Sequence, residues 1–333
     1  MKRLLLPILI YFFAFSLMKA QPGQLFDSED ILDIELTFDM KKFLADRSEE
    51  APYQEAVMGW TENGEEKMMN VKIKVRGNYR RHATICSFPP TRLKIPKKKS
   101  KGTIFYKEGK LKLVPDCKGE EYVFREYLAY KAFNLFTDSS LQVRLIRVTY
   151  KDSARKESPI KQYGFLIEDE DVMAKRLGGE ILEDTLIKPN QIQQNHLGLV
   201  AAFQYMIGNP DWNIEFCKNI KLVRIGPDSA PIPVPYDFDW SKAVDTPYAQ
   251  ESMGEGFERR KMPPICLSRK EYQAILDRFF SKRAEIESLY KKDTPLKKTL
   301  AKETLDYFEE FYEIISQPDI VEEIFKKSCP QNR

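Results

Sequence analysis

Residues 209–240 read Asn-Pro-Asp-Trp-Asn at 209–213, Cys-Lys-Asn-Ile-Lys-Leu-Val at 217–223 and Val-Pro-Tyr-Asp-Phe-Asp-Trp at 234–240. Two loops that carry acids therefore lie on either side of a short apolar strand. Asp211 stands in the first loop and Asn219 directly before the strand, while Asp237 and Asp239 stand in the second loop. The order along the chain is thus acid, amide, strand and then two acids.

This order is the one that phosphoryl transfer requires. One carboxylate positions the attacking hydroxyl, and a nearby Asn and a second carboxylate hold the metal on the nucleotide phosphates. Each acid also has a structural interpretation, because Asn, Pro and Asp favour turns after helices and Asp211 could simply end one. Asp239 could equally serve loop packing.

The N-terminus has the pattern of a targeting signal. Lys2 and Arg3 precede an uncharged, mostly apolar run from Leu4 to Met18, and Ala20 offers a small residue at a cleavage point. The run is short for a membrane span, so residues 1–20 are predicted to be a cleaved signal peptide and the chain to be secreted, periplasmic or part of the cell envelope. A retained anchor is the alternative. No later segment is apolar enough to span a bilayer, so the mature chain is predicted to lack a transmembrane anchor.

The charge of the mature chain points away from nucleic acid. Cleavage after residue 20 would remove Lys2, Arg3 and Lys19 and no acids, so the formal net charge of +3 would fall to about zero. A chain without net basicity gives no reason to expect binding to nucleic acid. Local basic patches remain at 76–82 and 97–101.

Five cysteines are present, at positions 86, 117, 217, 266 and 329. An exported protein can form disulfides, and the odd number leaves at least one cysteine outside an intrachain bridge. Cys86–Cys117 is a pairing worth testing.

Apolar periodicity predicts strands in the first half of the chain and helices in the second. The predicted strands lie at 31–38, 71–75, 91–95, 110–114, 142–150 and 163–167. The predicted helices lie at 120–136, 195–207, 269–290 and 296–315. The acid loops fall where the helical half begins.

We therefore predict an α+β chain with a bilobal, protein-kinase-like fold: a small mixed β-sheet lobe with one long helix, then a mostly helical C-terminal lobe. The predicted division is a signal peptide at 1–20, an N-terminal extension at 21–70, an N-terminal lobe at 71–170 and a C-terminal lobe at 171–333, which contains the acid loops at 209–240 and a helical tail at 268–333.

The chain resembles the CotH family of secreted atypical protein kinases and, more distantly, HipA-type kinases. The resemblance covers roughly residues 70–245, and its matching pieces occur in the same order as in the family. Its pieces are Arg76-Gly-Asn78, the strand through Lys94, Phe124-Arg-Glu126-Tyr-Leu-Ala-Tyr130, Gly164-Phe-Leu-Ile-Glu168, Asn209-Pro-Asp211-Trp212, Lys218-Asn219 and Pro235-Tyr-Asp237-Phe-Asp239.

The resemblance implies a role for each matching residue. Asp211 would be the catalytic acid that orients and deprotonates an acceptor hydroxyl. Asp237 would be the main metal ligand, with Asn219 assisting and Asp239 as second choice, and Mg²⁺ or Mn²⁺ suits such oxygen ligands. Lys94 would pair with the phosphates of ATP. Glu126 would hold that lysine, and Arg76 and Asn78 would line the phosphate-facing loop.

The chain departs from ordinary protein kinases at several points. Asn219 follows Asp211 by eight positions rather than five. Either the loop is longer, or Asn213 is the metal ligand instead. Lys112 is the main rival of Lys94, and Arg125 is a rival partner for Glu126, which would be costly to bury unpaired.

Three functions remain open from the sequence. The first is an exported kinase that transfers phosphate from ATP to Ser or Thr of an unidentified exported protein. The second is a kinase-fold binding module, or a structural component of an envelope or coat, without turnover. The third is another nucleotide-dependent transfer in the same fold, such as adenylate transfer.

Overall fold

Strands come first and helices later in the computed structural model, which describes residues 25–183, 187–254, 256–263, 265–292 and 294–329. The predicted signal peptide at 1–20 lies outside the described residues. The expected order of strands, one long helix, two further strands and a mostly helical second half is confirmed.

Seven strands form a closed barrel in the order β1-β2-β3-β4-β5-β7-β6. In chain order they are β1 (Leu32–Phe38), β2 (Gln54–Glu62), β3 (Glu65–Val75), β4 (Thr91–Lys94), β5 (Lys110–Pro115), β6 (Val143–Asp152) and β7 (Ile160–Ile167). A short helix, α1 (Met40–Ala45), follows β1.

The barrel corrects the prediction of a small mixed sheet. Closure comes from β1, which pairs antiparallel with β2 and parallel with β6 along its whole length, from Leu32 opposite Ile146 to Phe38 opposite Asp152. The segment 21–70, expected to hold one strand, contributes β1, β2 and the first part of β3. Every strand therefore has two neighbours, and the barrel leaves no open edge.

The barrel has its own apolar interior. Inward positions alternate along the strands, as in β1, where Leu32, Ile34, Leu36 and Phe38 are buried. Across the interior the ring of Phe88 stacks on Tyr150 with centroids 3.9 Å apart. Alternation of this kind fixes which face of each strand points outward, and so which charged side chains can face a ligand.

The long helix α2 (Glu120–Asn134) is buried on most of its surface and packs against β6, β7 and the later helix α6 (Arg269–Lys291). Its apolar residues belong to a second core that continues into the helical half. Glu126 is 2 % exposed within this helix, so its carboxylate needs a partner.

Helices and a small sheet make up the rest of the described chain. The helices are α3 (Glu170–Arg176), α4 (Gln194–Ile207), α5 (Pro247–Met253), α6 (Arg269–Lys291), α7 (Lys298–Ile315) and α8 (Pro318–Ser328), with a 3-10 turn at Pro189–Gln191. The sheet pairs β8 (Glu180–Leu182), β9 (Ile220–Arg224) and β10 (Ile232–Pro235) in the order β10-β9-β8. The β9–β10 hairpin is the feature that separates the two acid loops.

Two disulfides fasten loops to their surroundings. Cys86–Cys117, the pairing singled out from the sequence, joins the β3–β4 loop to the β5–α2 connection. Cys266–Cys329 joins the segment before α6 to the residue after α8, while Cys217 belongs to neither. Such bridges are typical of oxidising compartments outside the cytosol. Within the described residues, no helix combines the length and the apolar character that a membrane crossing needs.

Glu108 is an acid whose burial makes stability depend on pH. Its residue surface is 5 % exposed, and burial, reinforced by Glu168, Asp27 and Asp169, raises its pKa to about 8. Between pH 4.5 and 8 the folded state therefore holds a proton that the unfolded state has lost, so this group makes stability fall as pH rises.

We expect Glu108→Gln to raise the free energy of unfolding at pH 8 by an amount on the order of 1–3 kcal/mol more than at pH 5, because Gln has no proton to lose. Urea unfolding at the two pH values measures this. Glu65→Gln, at an exposed position of β3, is the matched control and should show no such difference. An equal gain at both pH values would show that proton release from Glu108 is not the cause.

Candidate functional site

A small hairpin brings Asn219 back beside Asp211. The backbones of Asn213 and Lys218 form a bridge through reciprocal hydrogen bonds of 3.1 and 2.9 Å. The side-chain nitrogen of Asn219 then donates to the Asp211 carboxylate at 2.9 Å and to the Asp211 carbonyl at 2.6 Å. The eight-residue spacing is thus taken up by the hairpin, which preserves the contact between acid and amide.

Asn213 has a different task. Its side-chain oxygen accepts a hydrogen bond of 2.9 Å from the backbone N–H of Phe216, which stabilises the turn of the hairpin. Of the two candidate amides, Asn219 is therefore the one that contacts Asp211.

The loop that carries Asp211 is anchored to the end of α4. Gly208 ends the helix with a left-handed backbone (φ 63°), a conformation that glycine adopts without steric cost. Buried Asn209 accepts a hydrogen bond of 3.0 Å from the Asp211 N–H and donates to Gln204 at 3.0 Å. Lys218 forms an ion pair with the Asp211 carboxylate. The carboxylate is consequently held in place from both sides.

The β9–β10 hairpin delivers Asp237 to the same end. Ile220 pairs with Pro235, and the Tyr236 N–H donates to the Asn219 carbonyl at 3.0 Å. Asp237 has a left-handed backbone (φ 62°), and its N–H donates to the Tyr130 hydroxyl of α2 at 2.8 Å. Asn219 also has a positive φ of 54°. Non-glycine residues in this conformation cluster at functional sites, where the surrounding contacts sustain the strain.

Arg80 lies at the centre of three carboxylates. Its guanidinium contacts Glu126 at 2.8 Å, Asp237 at 2.7 Å and Asp239 at 3.3 Å. Tyr248 donates to Asp239 at 2.7 Å. The side chains of Glu126 and Asp239 are 2 % and 4 % exposed, whereas that of Asp237 is 37 % exposed. Asp237 is thus the acid of this cluster that faces a ligand most openly.

The carboxyl groups of this cluster outnumber the guanidinium that they surround. Burial raises the pKa of both Glu126 and Asp239, and the Arg80 guanidinium opposes the shift at each. In their ionised forms, three carboxylates around one guanidinium leave a net charge of −2. A cluster with this excess favours a further cation.

The donor set fits a divalent cation. Glu126, Asp237 and Asp239 each offer an oxygen, and these oxygens lie within 4.8 Å of one another. One buried oxygen of Asp239, Oδ1, has no hydrogen-bond partner in the described structure. Carboxylate oxygens of this kind are the ligands that Mg²⁺ and Mn²⁺ prefer. Asn219 can add only its amide oxygen, since its nitrogen is used on Asp211.

Three cations of the barrel form what we call the basic wall: Arg76, Arg92 and Lys112. Arg92 lies opposite Lys112 on neighbouring strands, and the charges of Arg76 and Arg92 both act on Lys112. Arg76 also lies close enough to Asp237 for their charges to interact. Arg92 Nε is buried without a partner in the described structure. An unsatisfied donor among cations is suited to an anion.

Lys112 connects the basic wall to the acid loops. Its ammonium lies 2.9 Å from Glu170 and 5.0 Å from the ring centroid of Tyr236, the residue before Asp237. Burial lowers the pKa of Lys112 to about 8. The wall and the acidic cluster therefore meet at Tyr236 and Asp237.

The structure places the remaining predicted residues differently. Lys94 is exposed on β4, with its ammonium 5.8 Å from the Tyr53 ring, and it forms no pair with Glu126. Arg125 does not pair with Glu126 either, because it contacts Glu303 of α7 at 2.8 Å. Asn78 is exposed in the β3–β4 loop.

Five residues of the site were not predicted from the sequence: Arg80, Arg92, Tyr130, Glu170 and Tyr248. The signals that could have found them were weak. Arg80 stands in the basic patch at 76–82, and Tyr130 ends the matching stretch of α2. Each is defined by contacts with residues distant in sequence, as with Arg80 and Asp237.

Comparison with known proteins shows a likeness to a solved structure. No protein-family model matches this chain, and no curated protein matches it significantly. The structure of the Helicobacter pylori proinflammatory kinase CtkA is similar to it with a TM-score of 0.42 and 12 % identity, over 77 % of this chain and 94 % of that chain. Membership of the CotH family stays a prediction at this level of similarity.

Proposed function

We propose that this chain is a metal-dependent kinase that transfers the terminal phosphate of ATP to Ser or Thr hydroxyls of an exported protein. One observation carries the proposal: Asn219 contacts the Asp211 carboxylate through its side chain and the Tyr236–Asp237 turn through its backbone. Asn219 thereby links an acid for the acceptor to an acid for the metal, and the basic wall approaches the second acid at Tyr236.

Asp211 is the residue proposed to act on the acceptor. Its side chain is 20 % exposed, at the end of a loop fixed by Asn209 and Asn219. A carboxylate so held can accept a hydrogen bond from an incoming hydroxyl. It can take the proton as the new oxygen–phosphorus bond forms and the bond between the terminal phosphate and ADP breaks. Lys218, paired with the same carboxylate, is 58 % exposed and can move aside when an acceptor arrives.

Asp237, Asp239 and Glu126, with the amide oxygen of Asn219, are the residues that would hold Mg²⁺ or Mn²⁺. When bound, such an ion neutralises phosphate charge and orients the phosphates for attack. Asp237 is the principal ligand in this proposal because it is the most exposed of the three acids. Asp239 and Glu126 hold Arg80, which fixes Asp237 from the other side.

The basic wall is the proposed phosphate site. In this proposal Lys112, rather than Lys94, pairs with the phosphates; its burial beside Tyr236 supports this choice, whereas Lys94 is exposed next to Tyr53. Arg76 and Arg92 add two further cations. The Nε of Arg92 has no hydrogen-bond partner in the described structure. Guanidinium groups suit phosphate oxygens through paired hydrogen bonds.

A kinase-fold binding module without turnover is the second candidate, and one observation favours it. The Arg80 guanidinium already contacts all three acids that would bind the metal. A guanidinium that permanently takes the place of the ion would leave a folded protein that binds partners without using ATP. Metal-dependent nucleotide binding separates the two candidates.

We expect ATP with Mn²⁺ to raise the unfolding temperature of the protein, and Asp237→Asn to remove that rise. A ligand at 100 times its dissociation constant adds about 2.7 kcal/mol to the stability of the native state. Thermal unfolding with ATP alone, Mn²⁺ alone and both together measures the effect.

Asp228→Asn is the matched control, since Asp228 is exposed in the loop between β9 and β10. It should respond to ATP and Mn²⁺ as the unchanged protein does. A rise of equal size in Asp237→Asn would remove Asp237 from the metal site. No rise in any protein would favour the binding module.

A further inference from the structure

A cavity of about 370 Å³ lies next to the loop that carries Asp211. Both chain neighbours of Asp211 contribute to its lining, as does the hairpin that returns to Asn219. Apolar side chains form most of the surface: Pro210, Trp212, Ile214, Phe257, Met262 and Pro263. Nothing in the proposed handling of ATP uses this cavity.

The outer wall of the cavity, residues 257–263, is attached to α7 through Arg260. Arg260 donates to Glu310 at 2.7 Å, and its guanidinium stacks 3.8 Å from the centroid of the Tyr307 ring on α7. Beyond the wall, Cys266 is bridged to Cys329. When a cavity is already formed, ligand binding costs little free energy for ordering its wall.

Exposed aromatic residues mark the same region. Phe257, in the outer wall, is 48 % exposed, and Phe216, at the tip of the hairpin, is 70 % exposed. Large apolar side chains beside a cavity typically indicate a binding surface. Two carboxylates, Glu215 and Glu258, and one ammonium, Lys261, lie around the apolar lining. These charged residues carry a net negative charge around an apolar cavity. They therefore favour a ligand in which an apolar side chain is next to a basic one.

We propose that this cavity binds a bulky apolar side chain of the acceptor protein, within about three residues of the Ser or Thr that receives phosphate. The inference rests on the proposed function, because Asp211 is taken as the group that meets the acceptor hydroxyl. An extended chain advances about 3.3 Å per residue, so a segment with its hydroxyl at Asp211 places a near neighbour at the cavity. Peptide recognition in an extended form commonly relies on such side-chain pockets.

A peptide library with a central Ser or Thr tests the inference. Each flanking position is fixed in turn to one amino acid, and the mixtures are incubated with the protein, ATP and Mn²⁺. We expect preference for Phe, Leu, Ile or Met at one position within three of the acceptor, and a basic residue next to it.

Phe257→Ala is expected to lower kcat/KM for the preferred peptide by about 10- to 100-fold, mainly through KM, because an apolar contact contributes to selectivity on that scale. For peptides without the apolar residue, kcat/KM of this variant should equal that of the unchanged protein. Glu258→Lys should reverse the preference for the basic neighbour. Met68→Ala, which alters a side chain 78 % exposed on β3, is the control and should leave every preference unchanged.

Equal use of all flanking residues would overturn the inference, as would a preference that Phe257→Ala leaves intact. Peptides that receive no phosphate from a protein stabilised by ATP and Mn²⁺ would also overturn it, while leaving nucleotide binding standing. Absence of both transfer and stabilisation would overturn the proposed function itself. Nucleotide stabilisation measured beside the library therefore separates the two failures.

Discussion

Replacing Arg80 by alanine is expected to lower the free energy of unfolding by about 3–5 kcal/mol. The change would leave Glu126 and Asp239 buried without their cation, and Asp237 without one of its supports. Removing one partner of a buried ion pair costs far more than the pair itself contributes, because the remaining charges stay away from water. Urea unfolding at neutral pH measures the loss.

Arg147→Ala is the matched control. Arg147 also forms a bidentate ion pair with a carboxylate, that of Asp33, but on the exposed surface of the barrel. Such surface pairs contribute about 1 kcal/mol or less. Similar losses in the two variants would show that the Arg80 cluster is not a buried ionic core. Arg80→Lys should recover only part of the stability, since one ammonium cannot reach three carboxylates as a guanidinium does.

Asp211→Asn is expected to reduce phosphate transfer by a factor of about 10²–10⁴ while nucleotide stabilisation persists. Asn keeps the shape of the side chain but cannot accept the proton of the acceptor hydroxyl. The carboxylates proposed to bind the metal and the basic wall should remain in place, because the side chain of Asp211 contacts Lys218 and Asn219 and not the Arg80 cluster. Asn at this position keeps a side-chain oxygen that can still accept the hydrogen bond from Asn219. Transfer to the peptide library, with unfolding temperatures measured alongside, separates the two effects.

Asp228→Asn again serves as the control, and its transfer rate should equal that of the unchanged protein. Loss of both transfer and nucleotide stabilisation in Asp211→Asn would instead show a structural role for Asp211. Full transfer in that variant would remove Asp211 from the reaction.

The acid loops could be predicted from sequence because the features that unite them are local. Asp211, Asn219 and Asp237 are linked by a short hairpin bridge and by β9–β10, all within thirty residues or so. Turn residues and an apolar strand signal such structure directly. The alternation of apolar and polar residues predicted β3, β4 and β5 in the same way.

Closure of the barrel could not be predicted in the same way. The parallel pairing of β1 with β6 joins residues more than a hundred positions apart, and neither strand carries a local mark of its partner. In β2 and β3 the outward positions include the apolar residues Val57 and Met68, so the alternation that marks a half-buried strand is interrupted. The segment 21–70 therefore looked like an extension, although it supplies strands that complete the barrel.

The choice of Lys94 over Lys112 also depended on long-range information. Both lysines lie on neighbouring strands that alternate, and sequence alone does not say which end of a strand meets the other half of the protein. Burial beside Tyr236 distinguishes Lys112, and that contact arises from the β9–β10 hairpin. Arg80 was hidden for a similar reason, since its carboxylate partners lie 46 to 159 positions along the chain.

Mass spectrometry of the peptide library after incubation with ATP and Mn²⁺ tests the central claim most directly. The account predicts a phosphate on Ser or Thr, formed only with metal present and absent from reactions with Asp211→Asn. An adenylate group on the peptides would contradict phosphoryl transfer and point to a different nucleotide chemistry at the same acids. Unmodified peptides, from a protein that ATP and Mn²⁺ do not stabilise, would contradict the account as a whole.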